Sequence, residues 1–102
     1  MKVKLAFGEY DCILSKERYI NGRTALRLFE TETGEPFTHA TVNLPEVPLW
    51  DNQILIRNTE ECEGMLQTLI DNNVVIDTGK TVQTGFIHGH VCLLNPESEW
   101  SK

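Results

Sequence analysis

Much that would betray a function is missing from this sequence. The 102-residue chain has no apolar run approaching the about 20 residues of a membrane-spanning helix. Its opening, MKVKLAFGEY, holds two lysines but too few apolar residues before Glu9 for the core of a signal peptide. Cysteine is scarce. Cys12, Cys62 and Cys92 are odd in number, far apart and never in a CxxC, which argues against both a disulfide framework and a zinc ribbon. The thiols read as small core residues of a protein in a reducing compartment, so the expected location is cytoplasmic. Positive charge is also short: nine Lys and Arg against fifteen Asp and Glu leave a net charge of −6. The cations are scattered, not gathered in a stripe, which argues against a nucleic-acid partner. There are no internal repeats and no low-complexity tracts.

What is present is the composition of an ordinary globular protein, with 40% hydrophobic and 24% charged residues. At this length residues 1–102 make one domain, burying roughly two-thirds of its extended-chain surface, with 95–102 expected to fray as a tail. Val3, Leu5 and Phe7 alternate with Lys2, Lys4 and Ala6 as a half-buried strand does. YDCILSKERY is a second strand, running into Asn21-Gly22, which signals a type I′ hairpin turn. Arg23 to Thr31 returns, Glu32 to Pro36 turns again, and FTHATVNL forms the next strand. In it Ala40, Val42 and Leu44 share one face, while His39, Thr41 and Asn43 share the other. Pro45 and Pro48 make PEVPLWDN a loop, and QILIR is a short apolar strand.

One helix stands out. Thr59 suits an N-cap, and Glu60, Glu61 and Glu63 occupy the first turn, where the helix dipole favours acids. Cys62, Met65, Leu66, Leu69 and Ile70 keep helical spacing and should face the sheet. Gly64 is costly inside a helix, so it permits close packing or marks a later start. After Asp71-Asn72-Asn73, Val74 to Ile76 is a short strand, DTGK a turn, and Val91 to Leu94 the end of a last extended pair. The expectation is an α+β fold, a mostly antiparallel β-meander sheet with one helix packed on one face.

The stretch GFIHGHVC places His88, His90 and Cys92 at every second position, hence on one face of a strand. Imidazole and thiolate are zinc or late-transition-metal ligands, and His39, outward on its own strand, would make a fourth. Positions i and i+4 lie about 13 Å apart along a strand, however, so one ion cannot reach the whole row. Ile87, Gly89, Val91 and Leu93 carry the apolar alternation and should point at the helix. DTGKT lacks the upstream glycine and following helix of a phosphate loop, and GFIHGH lacks GxGxxG spacing. A Cys–His nucleophile pair needs partners within hydrogen-bond reach, which nothing in the spacing supplies. LPEVPLW has PxxP spacing and offers Val47, Leu49 and Trp50 as a loop contact for a partner, since aromatics concentrate at interface hot spots. The competing reading folds Trp50 back as a lid over the sheet edge, and Trp100 in the tail carries the same ambiguity.

Four phrases in order, NGR at Asn21–Arg23, ATVNLPE at Ala40–Glu46, EGML at Glu63–Leu66 and VCLL at Val91–Leu94, resemble a family of short uncharacterised bacterial proteins, a domain of unknown function. The resemblance covers nearly the whole chain and rests on structural phrases, so it carries no catalytic residue onto this sequence. It implies an accessory protein of a mobile element, plasmid or phage that binds a host or element protein. The expected function is therefore a small protein-binding module without enzymatic activity or cofactor, with homo-oligomers open to it through a sheet edge. The alternative is a metal- or small-ligand-binding domain built on His88, His90 and Cys92.

Overall fold

Alternating apolar residues punctuated by Gly, Pro and Asn build a mostly antiparallel α+β protein, and a computed structural model describes residues 1–98 of it. Its strands are β1 (Lys2–Leu5), β2 (Gly8–Arg18), β3 (Thr24–Glu30), β4 (Pro36–His39), β5 (Gln53–Ile56), β6 (Val75–Thr84) and β7 (Ile87–Leu94). One short helix, α1 (Met65–Asp71), stands between β5 and β6. The strands form two sheets, not the single sheet expected: a meander in the order β1-β2-β3-β4, and a second sheet in the order β5-β7-β6.

The division occurs inside FTHATVNL, which is not one strand. Ala40 N–H still donates to Leu26 of β3 (2.8 Å), but Val42 N–H donates to Leu55 of β5 (3.0 Å) and Arg57 N–H to Ala40 (2.9 Å). Thr41 bridges Ile56 at the crossing. Its hydroxyl accepts from Leu26 N–H (3.2 Å) and pairs with the Tyr19 hydroxyl (2.7 Å), so the buried crossing leaves no polar group unmatched there. Ala40 accordingly enters the main core, whereas Val42 and Leu44 pack in a second cluster. Their shared face on paper is split between two cores.

Three further local expectations change. Gly22 alone takes positive φ (86°) at the β2–β3 turn, and Gly22 N–H donates to Tyr19 while Tyr19 N–H donates to Arg23. That is the three-residue loop with a left-handed glycine, not a type I′ turn, which needs positive φ at Asn21 too. DTGK is not a turn but a bulge inside β6, where the register slips between Asp77 and Lys80. The Thr78 hydroxyl fills the gap by donating to Val91 O (2.6 Å). The expected first helical turn stands apart: Glu60–Cys62 forms a 3₁₀ turn, and Gly64, at φ 102°, marks the later helix start that was one of its two expected roles. Thr59 makes no side-chain cap. Asn58 does that work instead, its Oδ1 accepting from Gly64 N–H (3.1 Å) and Leu66 N–H (3.0 Å).

Gly64 also permits a close approach. A Cβ there would lie 2.2 Å from Lys4 O, and Lys4 N–H donates to the Thr68 hydroxyl (3.2 Å), so α1 docks onto the backbone of edge strand β1. The main core takes Val3, Cys12, Leu14, Leu26 and Leu28 from the first sheet. Ile54, Ile56, Val75, Cys92 and Leu94 meet them from the second, with Met65 and Leu69 from the helix. The second cluster, Leu44, Leu55 and Val91, lies on the other side of β5 and β7, under the loop carrying Val47 and Leu49. Asn95 N–H donates to Val74 O, and Asn95 to Ser98 closes a turn. The expected fraying of the final residues, and Trp100 with them, falls outside the described residues.

Candidate functional site

The GFIHGHVC row resolves into unlike environments. Its two strand faces are the reverse of the expectation: Cys92 and Leu94 point into the main core with Met65 and Leu69, while Val91 turns to the second cluster. The apolar alternation misled because β7 is the central strand of its sheet, with both faces covered around Val91 and Cys92. Cys92 is fully buried beside Ile54, and burial, reinforced by Asp77 across the β6 pairing, pushes its thiol up to about 12. His90 is half-buried and His88 exposed. His39 lies in the other sheet, exposed as expected, with its ring stacked at 6.1 Å on Tyr19. Among the described residues no group of three or more His, Cys, Asp or Glu side chains is placed to hold a metal ion. Cys12 and Cys62 are buried as well, and burial raises the Cys12 thiol.

The loop residues are also divided. Val47 and Leu49 are half-buried against Leu44, Leu55 and Val91, so they form the lid over the second cluster. Trp50 does not join them: 78% of it is exposed. Its backbone is nonetheless fixed, because Trp50 N–H donates to Gln53 Oε1 (2.9 Å) and Gln53 N–H returns the bond to Trp50 O (2.9 Å). An aromatic ring held in water on a rigid turn forfeits burial that the fold could have used.

Trp50 stands on the rim of a groove of about 1100 Å³. One wall is the turn end of β2 and β3, with Lys16, Arg18 and Arg23. Its apolar lining comes from Leu49, Ile76, Leu93, Leu94 and Pro96. The alternation of β2 explains the cations: Cys12 and Leu14 face the core, and Lys16 and Arg18 continue that same face beyond it. Arg23 bends over the loop, donating to Leu44 O (2.7 Å) and to Val47 O, and thereby ties the hairpin to the Trp50 segment. Arg18 donates to Gly22 O (2.8 Å). Both guanidinium groups meet neutral carbonyls. The ion pairs of the described residues lie elsewhere: Met1–Asp11, Arg27–Glu17, and Arg57 with Glu60 and Glu61.

Sequence reasoning picked Trp50 and missed the cations around it. The signal was the parity of Cys12, Leu14, Lys16 and Arg18, an inner face turning from apolar to basic. Only the spatial return of the 49–53 segment and the β6–β7 ends shows what that face looks onto. A groove with a cationic wall, an apolar wall and an exposed aromatic rim is chemically a surface for recognition. No family model, no characterised protein and no solved structure matches the chain.

Proposed function

We propose that the protein is a small binding module that acts through protein contacts, with Trp50 at the centre of the contact. The observation that carries this reading is an anchored tryptophan, 78% exposed, on the rim of a groove of about 1100 Å³. Tryptophan in such a position supplies large contact area at small entropic cost, and alanine scans find it over-represented among hot spots. An accessory role on a mobile element, as the sequence phrases imply, fits a module of this size. Binding, not turnover, is the proposed activity.

The test is photo-crosslinking with benzoylphenylalanine at position 50 and, as control, at position 7. Phe7 is also 78% exposed but lies away from the groove residues, in the β1–β2 turn. One dominant protein adduct from position 50, absent from position 7 and competed by unlabelled protein, is expected in lysate of the native host. Equal, diffuse labelling from both positions overturns the reading.

A further inference from the structure

Resting on the protein-binding reading above, we propose that the groove receives an acidic peptide segment: a short run of Asp or Glu carboxylates around one bulky apolar side chain, presented by the partner. In a chain of net charge −6, three of the nine Lys and Arg residues, Lys16, Arg18 and Arg23, line this one groove. Asp51 is the single acid among its described lining residues. None of the three cations forms an ion pair among the described residues, and Lys16 is half-buried. A partly desolvated cation without a countercharge gains most from an arriving carboxylate, because charge-assisted hydrogen bonds are about twice as strong as neutral ones. Arg18 and Arg23 keep guanidinium donors beyond those given to Gly22, Leu44 and Val47, since each has five N–H groups.

The apolar side fixes the rest of the ligand. Trp50 and Ile76, the latter 45% exposed, would stay wet under a purely anionic ligand. A bulky apolar residue set between carboxylates covers them and leaves the charges on the cationic wall. A groove of this volume suits a few residues, not a whole domain face. Nucleic acid also offers anions and stacking bases, but a long polyanion meets the repulsion of the net −6 surface at every phosphate beyond the three cations. A peptide with two or three carboxylates has none beyond the three cations.

The experiment is a titration of full-length ¹⁵N-labelled protein followed by amide NMR. The probes are a blocked decapeptide of glycine and serine that carries three glutamates around a central phenylalanine, its counterpart with three lysines, and a ten-nucleotide oligouridylate. The acidic peptide is expected to give saturable shifts at Lys16, Trp50 and Ile76. They should weaken tenfold or more in Lys16→Glu, and likewise when salt rises from about 0.05 to 0.5 M, which shortens the screening length severalfold. If Lys16→Glu fails to fold, Lys16→Gln and the salt series on the native chain carry the same comparison. No saturable shift up to about millimolar peptide, or an equal response to the lysine peptide, overturns the proposal. Tighter binding of the oligouridylate overturns it in favour of single-stranded nucleic acid. If the position-50 adduct persists while the acidic peptide fails, protein binding stands and the acidic chemistry falls. Failure of both removes the groove as the functional surface.

Discussion

At its Cys12–Leu14 end, the inner face of β2 is closed by Met65 and Leu69 of α1 and by the β5–β7 sheet. Two and four residues on, at Lys16 and Arg18, the same face opens into the groove. Both ends belong to one strand with one alternation, so backbone geometry is not what separates them. The difference is in what arrives opposite. At the closed end a helix is pressed against β1 so tightly that Gly64 has room for no side chain. At the open end a loop held by Arg23 presents Trp50 outward rather than inward. Apolar area at the closed end contributes to folding at about 25 cal/mol per Å². At the open end Trp50 and Ile76 keep their apolar area in water.

The largest effect expected is at the seal. Gly64→Ala places a methyl 2.2 Å from the Lys4 carbonyl and puts a non-glycine residue at φ 102°, so helix and edge strand must part. A loss of about 4 kcal/mol, within the range of severe core disruptions, should appear as a sharply lower urea midpoint. A wild-type midpoint would mean that the helix docks more loosely and that the two ends differ less than described.

A smaller effect concerns the buried Cys92 thiol. Its proton is held in the folded state up to about 12, whereas the unfolded thiol releases it near its ordinary value of 9.0. Below that value both states are protonated and nothing depends on pH. Above it the unfolded state binds fewer protons, so stability falls as pH rises toward the folded value, by about 1.4 kcal/mol per unit. Urea unfolding between pH 9 and 11 should therefore slope downward more steeply for the wild type than for Cys92→Ala. Parallel slopes would place the thiol in contact with water.

The smallest effect is expected at the open end. Trp50→Ala and Lys16→Ala should shift stability by no more than about 0.5 kcal/mol, as ordinary surface changes do. Thermal melts check this. If Trp50→Ala costs as much as a core truncation, the ring belongs to the fold and not to a partner.

The strands of the meander were legible because each alternates and is bounded by turn residues. The second sheet was not. Thr41 and Val42 read as a continuation of β4, yet they pair with β5, a partner whose position depends on the whole chain. In β7, Val91 and Cys92 are both buried, so polar alternation gave no direction and the expected face was inverted. The cap was misplaced for a related reason: Asn58 reaches forward to Gly64 and Leu66 across the 3₁₀ turn, a span no local spacing rule covers.

By itself the sequence determined that this chain is a small α+β protein with an acidic surface, apolar strands, a single short helix and a tryptophan on a proline-bounded loop. Those properties are set by composition and by side-chain period, which act over a few residues. The tertiary structure decided the rest: two sheets instead of one, Cys92 in the core instead of in a histidine row, and Lys16, Arg18 and Arg23 gathered beside Trp50. Each depends on segments tens of residues apart meeting across a core, where a side chain's role is fixed by what packs against it and not by its neighbours in the chain.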